Sequence, residues 1–170
     1  MKYAIAAPSG DMGIDPRPDF EQVESSRLRA FGLDGAYLSH ANFVARVGFS
    51  GESADARFML VPGLADAEAV SIESVNFPGY YFVHRDNVIV LAPNDGSEGF
   101  DASATWWLRE GLADSEWTSF ESFDQPGSFL GQRFGVVALV AITDATGTLD
   151  RENATFLIEK YDAVVIDGGR

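Results

Sequence analysis

A chain of 170 residues, 46% hydrophobic and 22% charged, has the size and composition of one ordinary domain with a real core, which excludes intrinsic disorder. No apolar run approaches the roughly 20 residues that cross a bilayer as a helix. The 26 acidic and 12 basic residues give a formal net charge of −14, a field that repels phosphate backbones and argues against a nucleic-acid partner. The absence of cysteine excludes disulfides, thiolate metal sites and thiol nucleophiles.

Residues 1–26 carry Pro8, Pro16 and Pro18 with Gly10 and Gly13 among acidic residues, and read as an arm or linker with a short strand at 3–6. Their opening, MKYAIAAPSG, is interrupted at Pro8 and too short for a secretory leader, so the compartment stays open between the cytoplasm and export with a signal removed before residue 1.

From residue 27 the chain repeats itself. Residues 28–40 (LRAFGLDGAYLSH), 72–84 (IESVNFPGYYFVH) and 120–132 (FESFDQPGSFLGQ) start 44 and 48 residues apart. Each opens on an apolar or aromatic residue, carries glycine at its eighth position (Gly35, Gly79, Gly127) and an aromatic at its tenth. Matching tails close the copies: Asp55 to Phe58 (DARF), Ser103 to Trp106 (SATW) and Asn153 to Phe156 (NATF). A period of this size marks one supersecondary unit copied so that the copies bury their apolar faces on one another.

In the middle copy, residues 71–75, 80–83, 87–91 and 104–108 are β-branched or aromatic runs separated by Pro78 and Gly79 and by Asn94, Asp95 and Gly96, which predicts four short strands per repeat. No long stretch has a 3.6-residue apolar period, and residues 110–115 read as a connecting loop matched by 62–66. Propellers need at least four blades, whereas three four-stranded units close into an all-β β-trefoil that leaves no exposed edge. The expected organisation is an arm at 1–26, a trefoil at 27–160 with repeats at about 27–70, 71–118 and 119–160, and a tail at 161–170 whose AVVI run adds a further short strand. The shared glycine is expected to sit in a tight turn that needs φ > 0 or no side chain.

The run SIESVNFPGYYFVHRDNVIVL, followed by NDGS and ATWWL and echoed on either side, resembles the arabinofuranose-binding domain of family 54 α-L-arabinofuranosidases, carbohydrate-binding module family 42. The resemblance covers all three repeats. It implies a β-trefoil with up to one pocket per repeat for a terminal arabinofuranose of arabinoxylan or arabinan, held by a histidine ending the second strand and an aspartate opening the closing strand. It also implies an extracellular setting. These groups suit a sugar chemically, since a carboxylate accepts from two vicinal hydroxyls, an imidazole offers one donor and one acceptor, and an aromatic ring covers the apolar sugar face.

Carried over residue by residue, the resemblance gives the first repeat both groups, His40 and Asp55, with Tyr37 and Asn42 as neighbours. The second keeps His84, with Tyr81 and Asp86 in the corresponding places, but has Ser103 for the aspartate; Asp101, two residues earlier, deputises from the same face if that segment is extended. The third has Gln132 and Asn153, neither of which ionises. Asp55 also reads as a turn cap, and Trp106, Trp107 and Trp117 read as packing residues.

No phosphate loop or histidine triad is present, no carboxylate pair is marked by the repeat, and residues 144–152 fail the spacing of a calcium loop. The expected function is therefore a non-catalytic module, without metal or cofactor, that binds arabinofuranose-bearing polysaccharide weakly and mainly through the first repeat. The alternative is a trefoil that has lost sugar binding and serves as a protein-interaction or structural module. A larger glycoside hydrolase carrying this chain as an accessory domain fits the first reading.

Overall fold

The computed structural model describes residues 3–4 and 22–164; residues 5–21 of the expected arm and 165–170 of the expected tail lie outside the described residues. The described residues form one sheet of 13 strands with short helices at its loops. In chain order the strands are β1 (Tyr3–Ala4), β2 (Gln22–Ala30), β3 (Tyr37–Ala41), β4 (Val44–Gly48), β5 (Phe58–Pro62), β6 (Val70–Ser74), β7 (Tyr80–Arg85), β8 (Val88–Pro93), β9 (Trp106–Glu110), β10 (Thr118–Ser122), β11 (Ser128–Arg133), β12 (Val136–Ala141) and β13 (Phe156–Val164). A 3-10 turn (Ala54–Ala56) precedes β5, helix α1 (Glu98–Ser103) precedes β9 and helix α2 (Thr148–Asn153) precedes β13. The AVVI run begins as the end of β13 rather than as a separate strand.

The sheet closes on itself. β2 pairs with β13 from Ala30–Phe156 to Gln22–Val164, and also with β5, while β5–β6 and β9–β10 ladders join the remaining units. Every edge of the main body is thereby paired, which suppresses edge-to-edge association. The hairpins β3–β4, β7–β8 and β11–β12 meet one another through Val44–Val90, Ala138–Val88 and Val136–Arg46. Their tips interlock in a ring: Leu91 N–H donates to the Phe43 carbonyl, Leu139 to Asn87 and Val47 to Gly135, at 2.8, 2.8 and 2.9 Å.

Residues aligned by the repeat are buried together. Leu28, Ile72 and Phe120 open the copies, Leu38, Phe82 and Leu130 follow on the second strands, and Phe58, Trp106 and Phe156 start the closing strands; all nine are fully buried in one cluster. A second cluster packs Tyr81 and Met59 against Phe100 of α1. Trp117 meets Phe31 edge-on at 5.0 Å, and Trp107 meets Phe123 at 5.9 Å, so these tryptophans pack between successive units.

The shared glycine has the expected backbone. Gly79 and Gly127 adopt φ of +86° and +90°, and each donates its N–H to a carboxylate two positions into the repeat, Glu73 at 2.8 Å and Glu121 at 2.7 Å. Such a φ strains any residue with a Cβ. Helices α1 and α2 form although no long stretch of the sequence has a 3.6-residue apolar period. Each has only six residues, too short for an apolar period, and α1 is started by Ser97, whose hydroxyl accepts from Phe100 N–H at 3.1 Å.

Candidate functional site

His40, next to last in β3, has its side chain only 4% exposed and packs against Phe58 and Phe77 at ring separations of 6.4 and 5.5 Å. Its Nε2 lies 3.1 Å from Asn76 Oδ1 and 3.5 Å from Asp55 Oδ1. Asn76 Oδ1 also accepts from Ser74 Oγ at 2.8 Å, and its Nδ2 donates to Asp55 Oδ1 at 2.7 Å. The amide orientation makes the imidazole the Nε2 donor. Asn76 thus ties the histidine of one repeat to the aspartate of the same repeat, although it belongs to the β6–β7 loop of the next.

Asp55 sits inside the 3-10 turn with its side chain 45% exposed. It does not cap that turn; Ser53 does, accepting from Asp55 N–H at 3.1 Å. Asp55 Oδ2 makes no hydrogen bond among the described residues, so the network presents a held carboxylate with acceptor capacity facing solvent. On the His40 side Phe77 joins Phe43 and Tyr80 in an aromatic cluster, with Phe43 stacked on Tyr80 at 5.6 Å and edge-on to Phe77 at 5.1 Å. Donor and acceptor groups thus stand next to an aromatic cluster, the group types that hold a small polyol.

The second copy reaches a similar state with different residues. His84 Nε2 lies 2.7 Å from Asp124 Oδ1, and Ser122 Oγ donates to that oxygen at 3.0 Å. Asp124 occupies in the β10–β11 loop the place that Asn76 occupies in β6–β7. Ser103, where an aspartate was expected, turns back to bond the Phe100 carbonyl at 3.0 Å. Each network therefore holds one carboxylate, on the helical turn in the first and on the following loop in the second. Asn76 and Asp124 were missed by reading within single repeats; the signal is the shared Glu-Ser-x-Asn/Asp-x-Pro-Gly of residues 73–79 and 121–127.

Five of the expected site residues are not brought to the histidines. Tyr37 stands three residues from His40 on one strand, an odd spacing that sends it to the other face. There its hydroxyl donates to Glu159 at 2.9 Å under the Arg27 guanidinium, and burial, with Glu159 alongside, raises its pKa above the ordinary tyrosine value. Tyr81 is likewise turned into the second core cluster. Asn42 and Asp86 each open a two-residue hairpin turn with φ of +52° and +51°, exposed and without a side-chain hydrogen bond to either histidine among the described residues. Asp101 lies in α1 rather than on an extended segment, so its two-residue separation from Ser103 places the two on different faces of the helix.

In the third copy Gln132 Nε2 donates to Asn153 Oδ1 at 3.0 Å and Gln132 Oε1 accepts from Gly135 N–H at 3.0 Å. The position equivalent to Asn76 and Asp124 is Gly32, so no side chain completes this network from the first repeat.

A family model, the alpha-L-arabinofuranosidase B (ABFB) domain, matches residues 26–158. The chain belongs to this family. Alpha-L-arabinofuranosidase B of Aspergillus niger is 34% identical to this ABFB domain over 98 residues, 54% of the chain and 20% of the relative. The chain thus spans about a fifth of the length of the curated relatives it matches. Among solved structures, an arabinofuranosidase complexed with arabinofuranosyl-alpha-1,2-xylobiose superposes with a TM-score of 0.72 at 26% identity, over 80% of this chain and 30% of that one. The BEL beta-trefoil, 14% identical, superposes with a TM-score of 0.63 over 81% of this chain and 93% of its own. The ABFB domain described here therefore has an all-β, β-trefoil fold.

Proposed function

We propose that this ABFB domain is a non-catalytic carbohydrate-binding module that recognises terminal arabinofuranose side chains of arabinoxylan or arabinan. On this reading residues 27–160 are three four-stranded repeats about a pseudo-threefold axis, flanked by an arm and a tail, and the module accompanies a catalytic domain. The observation that carries it is the His40–Asn76–Asp55 network next to the aromatic cluster of Phe43, Phe77 and Tyr80. Asp55 accepts from two sugar hydroxyls, His40 and Asn76 fix the carboxylate, and the aromatic cluster covers the furanose. His84 and Asp124 serve a second, simpler site.

The arabinofuranosyl ligand of the related arabinofuranosidase and the family match support the sugar. Each network holds a single carboxylate, whereas glycoside hydrolysis uses two, about 5 to 10 Å apart. A single monosaccharide offers few atoms, so each site binds in the millimolar range and gains strength only when several branches are engaged. Titration with methyl α-L-arabinofuranoside, followed by NMR, tests the reading. Shifts centred on His40 and Asp55 that vanish in Asp55→Ala are expected; shifts that persist unchanged in that variant, or none at tens of millimolar sugar, would refute it.

A further inference from the structure

The third repeat does not merely lack the His and Asp pair; its surroundings are apolar. A concavity of about 680 Å³ is lined by Leu33, Phe49, Gln132, Phe134, Leu149 and Asn153, among others. Phe134 is 97% exposed, Phe49 75% and Leu149 66%. Phe134 opens the β11–β12 turn with φ of +56°, where the other two hairpins carry Asn42 and Asp86. A bulky aromatic in the left-handed region, fully exposed to water, is unfavourable twice over, and no packing within the described residues offsets it. Leu149 stands on α2 where α1 has Gly99, and Leu33 follows Gly32 where the other loops carry their polar residue. Against this rim the floor stays polar: Asn153 keeps its amide nitrogen without a hydrogen bond among the described residues, and the Arg133 charge is taken up by Asp150.

We infer that this third pocket binds a pentofuranoside carrying an aromatic substituent, the sugar on the Asn153 and Gln132 floor and the aryl group against Phe134, Phe49 and Leu149. The inference rests on the sugar-binding reading above, because it takes the floor as equivalent to His40 and Asp55. The uncharged floor selects a neutral ligand, and the volume suits a monosaccharide plus one ring. A second copy of the chain is the other candidate for an apolar patch, but a net charge of −14 on each partner opposes it.

The test uses the full chain and three probes: methyl α-L-arabinofuranoside, para-nitrophenyl α-L-arabinofuranoside and para-nitrophenol, with backbone NMR shifts resolved by site. At residues 133–135 and 149–153 the aryl glycoside should bind about tenfold more tightly than either the methyl glycoside or the free phenol. In Phe134→Asn, which gives the turn the residue of the first hairpin, that advantage should disappear while shifts around His40 stay as in the parent. Equal affinities of the aryl and methyl glycosides at this pocket, full affinity for the phenol alone, no shifts there, or an unchanged advantage in Phe134→Asn would each overturn the inference. Concentration-dependent shifts of these residues in the sugar-free protein, abolished by Phe134→Asn, would overturn it in favour of self-association. Failure of the sugar reading is separate: it shows as no response of the His40 and His84 regions to the methyl glycoside.

Discussion

Replacing Asn76 by alanine removes the one side chain that joins His40 to Asp55. Three contacts go: Ser74 Oγ loses its acceptor at 2.8 Å, Asp55 a donor at 2.7 Å, and His40 Nε2 its acceptor at 3.1 Å. Ser74 is fully buried but keeps Phe77 N–H as a partner, so its loss costs about 1 kcal/mol. His40 is nearly buried, and Asp55 at 3.5 Å only partly replaces the lost acceptor, adding about 1 to 2 kcal/mol. The Asn76–Asp55 bond is half-exposed and adds little to stability, yet it aims the carboxylate. Asn76→Ala should therefore lower unfolding free energy by about 2 to 3 kcal/mol in urea titration and weaken arabinofuranoside binding at the first site by about tenfold. A double-mutant cycle with Asp55→Ala separates the roles, because Asn76 acts on the sugar through Asp55. The double variant should bind no more weakly than Asp55→Ala alone. Additive affinity losses, or a stability change under about 0.5 kcal/mol, would refute the role of Asn76 as the joint of the site.

Asp124→Ala should cost about 1 to 2 kcal/mol by leaving His84 Nε2 unpaired, and should abolish sugar-induced shifts at His84 without altering those at His40, as read by thermal melts and NMR. Gly111→Ala places a Cβ 2.4 Å from the Asp114 carbonyl oxygen and should destabilise by about 1 to 3 kcal/mol, whereas Gly99→Ala, in helix α1 with open space around it, should stabilise by about 0.5 to 1 kcal/mol; chemical denaturation reads both. Tyr37 has a raised pKa, so the folded state holds its proton more tightly than the unfolded chain does. Its contribution is complete below the ordinary tyrosine value of 10.0 and is lost as pH rises beyond it. The stability gap between the parent and Tyr37→Phe, measured by urea midpoints from about pH 8 to 11, should be constant up to about pH 10 and narrow above it.

What was legible in the sequence is what repeats within one copy. Leu28, Ile72 and Phe120, or Phe58, Trp106 and Phe156, are apolar because each meets the same core, so periodicity alone located them. The Gly79 and Gly127 turns were legible for the same reason, since the backbone demands the residue wherever the turn recurs. The site was only half legible because it is assembled across the repeat boundary. Comparing Asp55 with Ser103 registers a loss; the carboxylate of the second site, Asp124, lies in the next copy and is invisible to that comparison. Tyr37 and Tyr81 were misassigned by proximity in sequence, where strand alternation sends them to the opposite face from the histidines. The helices left no period because six residues make fewer than two turns.

Assembly across boundaries also accounts for how the polar networks of the three copies differ. A site built within one repeat would change only when that repeat changed; here each depends on the loop of its successor. The first site draws Asn76 from the second repeat and the second draws Asp124 from the third, but the third must draw on the first, whose loop carries Gly32 and Leu33. The first repeat is also the one that closes the barrel, through the long β2–β13 ladder and the cluster of Arg27, Tyr37 and Glu159 beneath it. Its loop is thus free of the carboxylate-held Pro-Gly turn found at Gly79 and Gly127, because Arg29 stands in place of Glu73 and Glu121 and pairs with Glu159 instead. Arg29 thus serves the β2–β13 seam instead of a Pro-Gly turn, and the loop that the first repeat presents to the third pocket offers Gly32 and Leu33 rather than a polar side chain.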